Sequence, residues 1–181
     1  MVLCAFDFDQ TLACGEVSFF TGHERMAGEF GGAERIALLR AMLVELNELG
    51  ARCVVVSFNS KDTINRALRA VGLIDLFDAI YGSEHELLEG LRARKSALLT
   101  HLRRGSEPVL FADDNGGNVR DVVSALPATH AILVPPKPGG MLAEQMQAAV
   151  AWARAQRDAA RPDEADAVVD AIASSQIDSL V

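Results

Sequence analysis

Hydrophobic and polar positions alternate along the chain between two periods. Val2 to Phe8 is a β-prone apolar run that ends in the acidic pair Asp7 and Asp9, followed by Thr11, and it reads as a buried strand. Leu12 to Gly32 is broken up by Gly15, Gly22, Gly28 and the aromatic Phe19, Phe20 and Phe30, which predicts a loop or short hairpin. From Ala33 to Leu49 the apolar Ile36, Leu39, Leu43 and Leu46 recur three and four residues apart, the spacing of an amphipathic helix, with Gly50 as its left-handed terminator. Arg52 to Phe58 carries Cys53, Val54, Val55 and Val56 in succession, as expected of a strand covered on both faces. Asn59 or Ser60 can cap a helix from Lys61 to Val71 that stops at Gly72. A short strand at Ala79 to Gly82, a helix from about Glu86 to Leu102 and a buried strand at Val109 to Ala112 come next. A Gly116-Gly117 turn, a helix from about Asn118 to Ala125, a strand from Ala131 to Val134, the turn Pro135 to Gly140 and a helix from Met141 to about Gln156 complete the series.

Strands alternating with helices imply a parallel sheet covered on both faces, because right-handed crossovers place the helices there. The expected class is therefore α/β, a Rossmann-like three-layer sandwich around a parallel sheet of about five strands. With 181 residues, 50% hydrophobic and 23% charged, the chain has material for one self-sufficient domain and a remainder. The boundary falls near Arg157: residues 1–158 form the core and 159–181, with Pro162 and the stripe Val168 and Ile172, an acidic helical appendage. That appendage packs on the core or makes a partner contact, including one between copies of the chain.

A net charge of −8 disfavours nucleic acid and anionic membrane as partners. Three cysteines, Cys4, Cys14 and Cys53, form no CxxC pair and suit a reducing cytoplasm. The N-terminus lacks a basic region before Asp7, so it does not read as a signal peptide, and no apolar run reaches the length of a membrane span.

Ligands of open α/β sheets sit at the carboxyl ends of the strands, and the polar clusters fall at such ends. Asp7, Asp9 and Thr11 follow the first strand, Ser57 closes the second, and Asp113 with Asp114 follows the fourth, with Lys95 on the helix before it. Carboxylates gathered there raise one another's pKa and call for a compensating cation, which magnesium and Lys95 would supply.

In these residues the chain resembles the haloacid dehalogenase (HAD) superfamily of aspartate-nucleophile phosphatases, over about residues 2 to 156. The DxDxT motif stands as Asp7-Phe8-Asp9-Gln10-Thr11, the strand-ending Ser as Ser57 in VVVSFN, the helix-starting Lys as Lys95 in RARKSALL, and the acidic fourth motif as Asp113-Asp114 with Asn118 in LFADDNGGNV. The DDxxxN form and the short layout look most like the magnesium-dependent phosphatase group. The resemblance implies Asp7 as nucleophile, forming an aspartyl-phosphate, and Asp9 as the general acid and then base. It implies that Ser57 and Lys95 contact the phosphoryl group, and that a Mg²⁺ is held by Asp7, the Asp9 carbonyl, Asp113 and Asp114. Asp114 is either a ligand, directly or through water, or the residue that orients Lys95. Thr11, Asn59 and Asn118 are expected to bind substrate.

The second carboxylate separates this pattern from dehalogenases, which lack it, and from transport ATPases, which have a Thr there. Neither interval, Thr11 to Ser57 nor Ser57 to Lys95, holds a cap domain, so the site is expected to be open and to admit a phosphorylated substrate as large as a phosphoprotein. Two other readings remain: a phosphate-binding or interaction module with weak catalysis, and phosphoryl transfer to an acceptor other than water. Phe19, Phe20 and His23 lie where the family has its flap, and His85 and Lys137 are candidates for the rim. Cys4 and Cys53 read as core.

Overall fold

A computed structural model describes residues 1–90, 93–135 and 139–160. Five parallel strands, β1 (Leu3–Phe6), β2 (Arg52–Val56), β3 (Ala79–Tyr81), β4 (Val109–Asp113) and β5 (His130–Leu133), form one sheet in the order β3-β2-β1-β4-β5. Because side chains alternate across a strand, each inner strand feeds two cores. Cys4, Phe6, Cys53, Val55, Leu110 and Ala112 point to one face, where α2 (Gly32–Glu48), α3 (Lys61–Ala70) and α6 (Ala143–Ala159) cover them. Leu3, Ala5, Val54, Val56, Val109 and Phe111 point to the other, under α4 (Lys95–Leu102) and α5 (Gly116–Ala125). The result is the three-layer α/β sandwich expected, and the continuous Val54–Val56 run is apolar because both of its faces are buried.

α2 and α3 end before Gly50 and Gly72, both left-handed at φ 76° and 68°. Ser60, not Asn59, caps α3, its side chain accepting from the Thr63 amide. Elsewhere the boundaries differ from expectation. The helix predicted from Glu86 begins only at Lys95; Gly90, at φ 76°, interrupts it, and Leu88 reaches the second core from a turn instead. The Gly116-Gly117 pair is not a turn but the first turn of α5, because the Asn115 side chain caps that helix by accepting from the Gly117 amide at 2.8 Å. The stretch from Leu12 to Gly32 is no hairpin; it carries a 3-10 turn (His23–Arg25) and the one-turn α1 (Met26–Glu29). Between Thr11 and Ser57 the chain thus holds α1, α2 and β2, and no further domain is inserted there. No described helix is long and apolar enough to cross a membrane. The appendage after Ala160, with Pro162, Val168 and Ile172, lies outside the described residues, as does Lys137.

Candidate active site

Strand order reverses between β1 and β4: the chain winds outward one way through β2 and β3, then returns to the other side for β4 and β5. Neighbouring loops diverge at such a switch point and leave a crevice at the strand ends. Asp7, whose amide still donates to Ala112 O at 2.9 Å, is the first residue past β1, and Asp113 is the last of β4. The sheet register therefore puts two carboxylates side by side.

Lys95 stands between them. As the first residue of α4 it points into the crevice, 2% exposed, with Nζ 2.6 Å from Asp7 Oδ1 and 2.7 Å from Asp113 Oδ2. Its ammonium also lies 5.2 Å from the centre of the Phe58 ring, within cation-π range. Asp113 is completely buried and saturated with donors, accepting from the Asn115 amide at 2.8 Å and from the Asn118 side-chain amide at 3.2 and 3.1 Å. Burial pushes the Asp7 carboxyl up to about 7, with Asp113 adding to the rise and Lys95 opposing it. Asp114 is raised by burial and by Asp113.

Asp9 is held apart from this group. Its Oδ1 accepts from the Val17 amide at 2.7 Å and its Oδ2 from Asn59 Nδ2 at 2.9 Å. The same Asn59 amide also donates to Val17 O at 2.8 Å, so one side chain ties Asp9 to the loop after it. Partial burial raises the Asp9 pKa in spite of these two donors. Ser57, 2% exposed, accepts through its hydroxyl oxygen from the Asn59 backbone N–H at 3.1 Å. A cavity of about 520 Å³ opens over the strand ends, and every expected site residue lines it except Thr11 and Asp113.

The sequence matches no protein-family profile and no curated protein. Solved structures do match it. The HAD domain of effector protein Lem4 from Legionella pneumophila superposes with a TM-score of 0.54 at 16% identity, over 76% of this chain and 88% of that one. The N-terminal part of BF1531 from Bacteroides fragilis, containing a phosphatase domain complexed with Mg, gives 0.54 at 14% identity, over 84% of this chain and 39% of that one. A HAD-superfamily hydrolase from Geobacter sulfurreducens gives 0.50 at 15% identity, over 84% and 96%. The chain has the HAD-like fold.

Within the HAD-like fold of this chain, oxygen atoms of Asp7, Asp113 and Asp114 lie within 4.8 Å of one another. Three hard carboxylate donors beside a single ammonium suit a small divalent cation such as Mg²⁺. The Asp9 side chain is not among them. Lys95 is bound by Asp7 and Asp113, and Asp114 stands in the acidic cluster beside them.

Asn59 and Asn118 line the cavity, but their amides are engaged with Asp9 and Asp113 respectively. Thr11 is fully buried, away from the cavity, and its hydroxyl has no partner among the described residues. Phe19 and Phe20 are exposed, edge to face with each other, and His23 shares with Phe19 a separate hollow rather than the cavity over the strand ends. His85 does not rim the cleft; its Nδ1 accepts from the Leu87 amide and its ring packs against Tyr81. Cys4 and Cys53 are buried in register on β1 and β2. Sequence reasoning missed Val17, whose amide binds Asp9, because a backbone donor in a loop leaves no residue-type signal.

Proposed function

We propose that the chain is a magnesium-dependent phosphomonoester hydrolase that works through an aspartyl-phosphate on Asp7. The observation that carries the reading is the division of labour between two carboxylates in one cavity. Asp7 is fixed against Lys95 beside the acidic cluster, whereas Asp9 is held off from it by Asn59 and Val17. Two carboxyl groups held by different partners in one cavity are placed to take different roles, Asp7 in attack and Asp9 in proton transfer.

Asp7, Asp113 and Asp114 would hold the cation, which when bound neutralises charge on the phosphoryl group and keeps Asp7 ionised. An Asp7 oxygen forms a bond to phosphorus as the ester P–O bond breaks, and Asp9 gives its proton to the departing oxygen. Asp9 then takes a proton from the water that attacks phosphorus, and the bond to Asp7 breaks to release phosphate. Lys95 and the Ser57 hydroxyl, on the cavity wall, steady the phosphoryl oxygens. The alcohol portion of the substrate extends from the cavity past the half-exposed Phe58. Release of phosphate from an aryl phosphate that requires added Mg²⁺ tests the reading; metal-independent release, or none, contradicts it.

A further expected result concerns pH. The folded chain holds a proton on Asp7 up to about pH 7, and the ordinary carboxyl of the unfolded chain loses it near 3.8. Between these values the native state binds more protons than the unfolded one, so this group's contribution to the metal-free protein's stability is lost as pH rises through about 7. A cation needs the ionised carboxylates. The rise in Tm on adding Mg²⁺ is therefore expected to be larger at pH 8 than at pH 6, measured by thermal melts across that range. A shift that shrinks with pH would count against the site.

A further inference from the structure

Arg35 lies on α2, outside the carboxylate cluster, and forms no ion pair among the described residues. Its guanidinium instead makes five hydrogen bonds, all to backbone carbonyls. Nη1 donates to Leu12 O at 2.7 Å and Phe30 O at 3.0 Å, Nη2 to Thr11 O at 3.1 Å and Met141 O at 3.3 Å, and Nε to Met141 O at 3.4 Å. Partial burial lowers its pKa. Taking a charge from water to bind only neutral dipoles is costly, so the contact calls for a reason beyond attaching a surface helix. The slot is fitted to the group: a Cβ at Gly140 would stand 2.3 Å from Nη2, and one at Gly31 would stand 2.9 Å from Cδ.

The carbonyls come from three segments that meet at this point: the turn after Asp9, the end of α1 and the approach to α6. Two backbone bonds join the first and third, Gly140 N to Gln10 O at 2.9 Å and Met141 N to Thr11 O at 2.8 Å. The turn they fasten is strained, because Gln10 sits in the left-handed region at φ 55° and is the one non-glycine among the described residues to do so. Such a residue persists only where its surroundings over-determine it. This turn directs the Asp9 side chain toward Val17 and Asn59 rather than into the acidic cluster.

We propose that Arg35 is a positioning residue for Asp9: its guanidinium clamps the Thr11 and Leu12 carbonyls to those of Phe30 and Met141 and so holds the turn that carries the proton-transferring carboxylate. It rests on the phosphatase reading and touches no reacting atom. Lysine cannot replace the fork, since a single ammonium does not span four carbonyls.

Leaving-group chemistry isolates the effect. For this mechanism kcat/KM reports the steps up to departure of the alcohol, in which an alkyl oxygen needs the Asp9 proton and a nitrophenolate does not. Arg35→Lys is expected to lower kcat/KM for an alkyl phosphate about 10- to 100-fold, as displaced catalytic groups do. For p-nitrophenyl phosphate the loss is expected to stay within about 3-fold. Equal losses on both esters, as general loosening of the fold gives, or no loss on either, overturn the proposal while leaving the phosphatase reading intact. Wild-type protein that hydrolyses neither ester removes that reading and the proposal with it. Should Arg35→Lys fail to fold, Arg35→Gln, which keeps an amide donor toward the same carbonyls, carries the identical comparison.

Discussion

Asp7→Asn is expected to abolish turnover, with kcat falling by at least about 10⁴-fold, because an amide cannot attack phosphorus and no neighbouring group can take over. Asp9 lies in the same cavity but is tied to Val17 and Asn59, and Asp113 is buried behind Lys95 with all its donors in place. The fold should survive the change. The bond that seats this residue on β4 comes from its backbone amide, and an asparagine oxygen can still accept from Lys95. Stability should even rise in the absence of metal. Asp7, Asp113 and Asp114 place three carboxylates against the Lys95 ammonium, and the substitution removes the most destabilising effect of burial at Asp7. A higher metal-free Tm together with lost activity is the signature of a group kept for chemistry at the expense of stability. Turnover within about 10-fold of wild type would remove Asp7 as nucleophile.

Lys95→Ala is expected to damage both stability and activity. Lys95 is the counter-charge shared by Asp7 and Asp113, and removing it leaves two carboxylates in a site where Asp113 has no contact with solvent. Breaking a buried ion pair from one side costs about 3–5 kcal/mol, whereas an exposed pair costs little. For a chain of this size each kcal/mol moves Tm by roughly 2–4 °C, so a fall on the order of 10 °C is expected in metal-free thermal melts. Added Mg²⁺ should recover part of that loss by supplying the missing positive charge to Asp7, Asp113 and Asp114. The activity should not recover in step: the ammonium that would face the phosphoryl oxygens is gone, and such a loss costs about 10²–10³-fold in kcat. Lys95→Met, which keeps the stem beside Phe58, should recover packing without recovering turnover. A melting point unchanged in Lys95→Ala would mean that the pair with Asp7 and Asp113 contributes nothing.

The strands were the most legible part of the chain, and the reason is physical. β1, β2 and β4 are covered on both faces, so burial demands an unbroken apolar run, and the polar residue that ends each run is forced to the sheet edge. That is why Asp7, Ser57 and Asp113 could be placed from sequence alone. α4 was less legible. Apolar Leu87 and Leu88 continue the spacing of the later helix, but Gly90 turns the chain and Lys95 becomes the first residue of α4 instead of an interior one. Side-chain partners were harder still. Asn59 and Asn118 were expected on substrate because they stand at strand ends, yet each amide is engaged with a site carboxylate, which depends on how the loops fold over one another. Arg35 left no trace at all, since the carbonyls it binds belong to Leu12, Phe30, Thr11 and Met141 whatever their side chains are.

The proposed covalent intermediate on Asp7 is tested most directly by trapping it. Enzyme turning over a phosphomonoester with Mg²⁺ is quenched in acid, reduced with borohydride and digested, and the N-terminal peptide is sequenced by mass spectrometry. An acyl phosphate on Asp7 is reduced to homoserine, so the account predicts homoserine at position 7 in turning-over wild type and none in enzyme quenched without substrate. Unmodified Asp7 in protein that is demonstrably releasing phosphate, or homoserine at Asp9 or Asp113 instead, would contradict it.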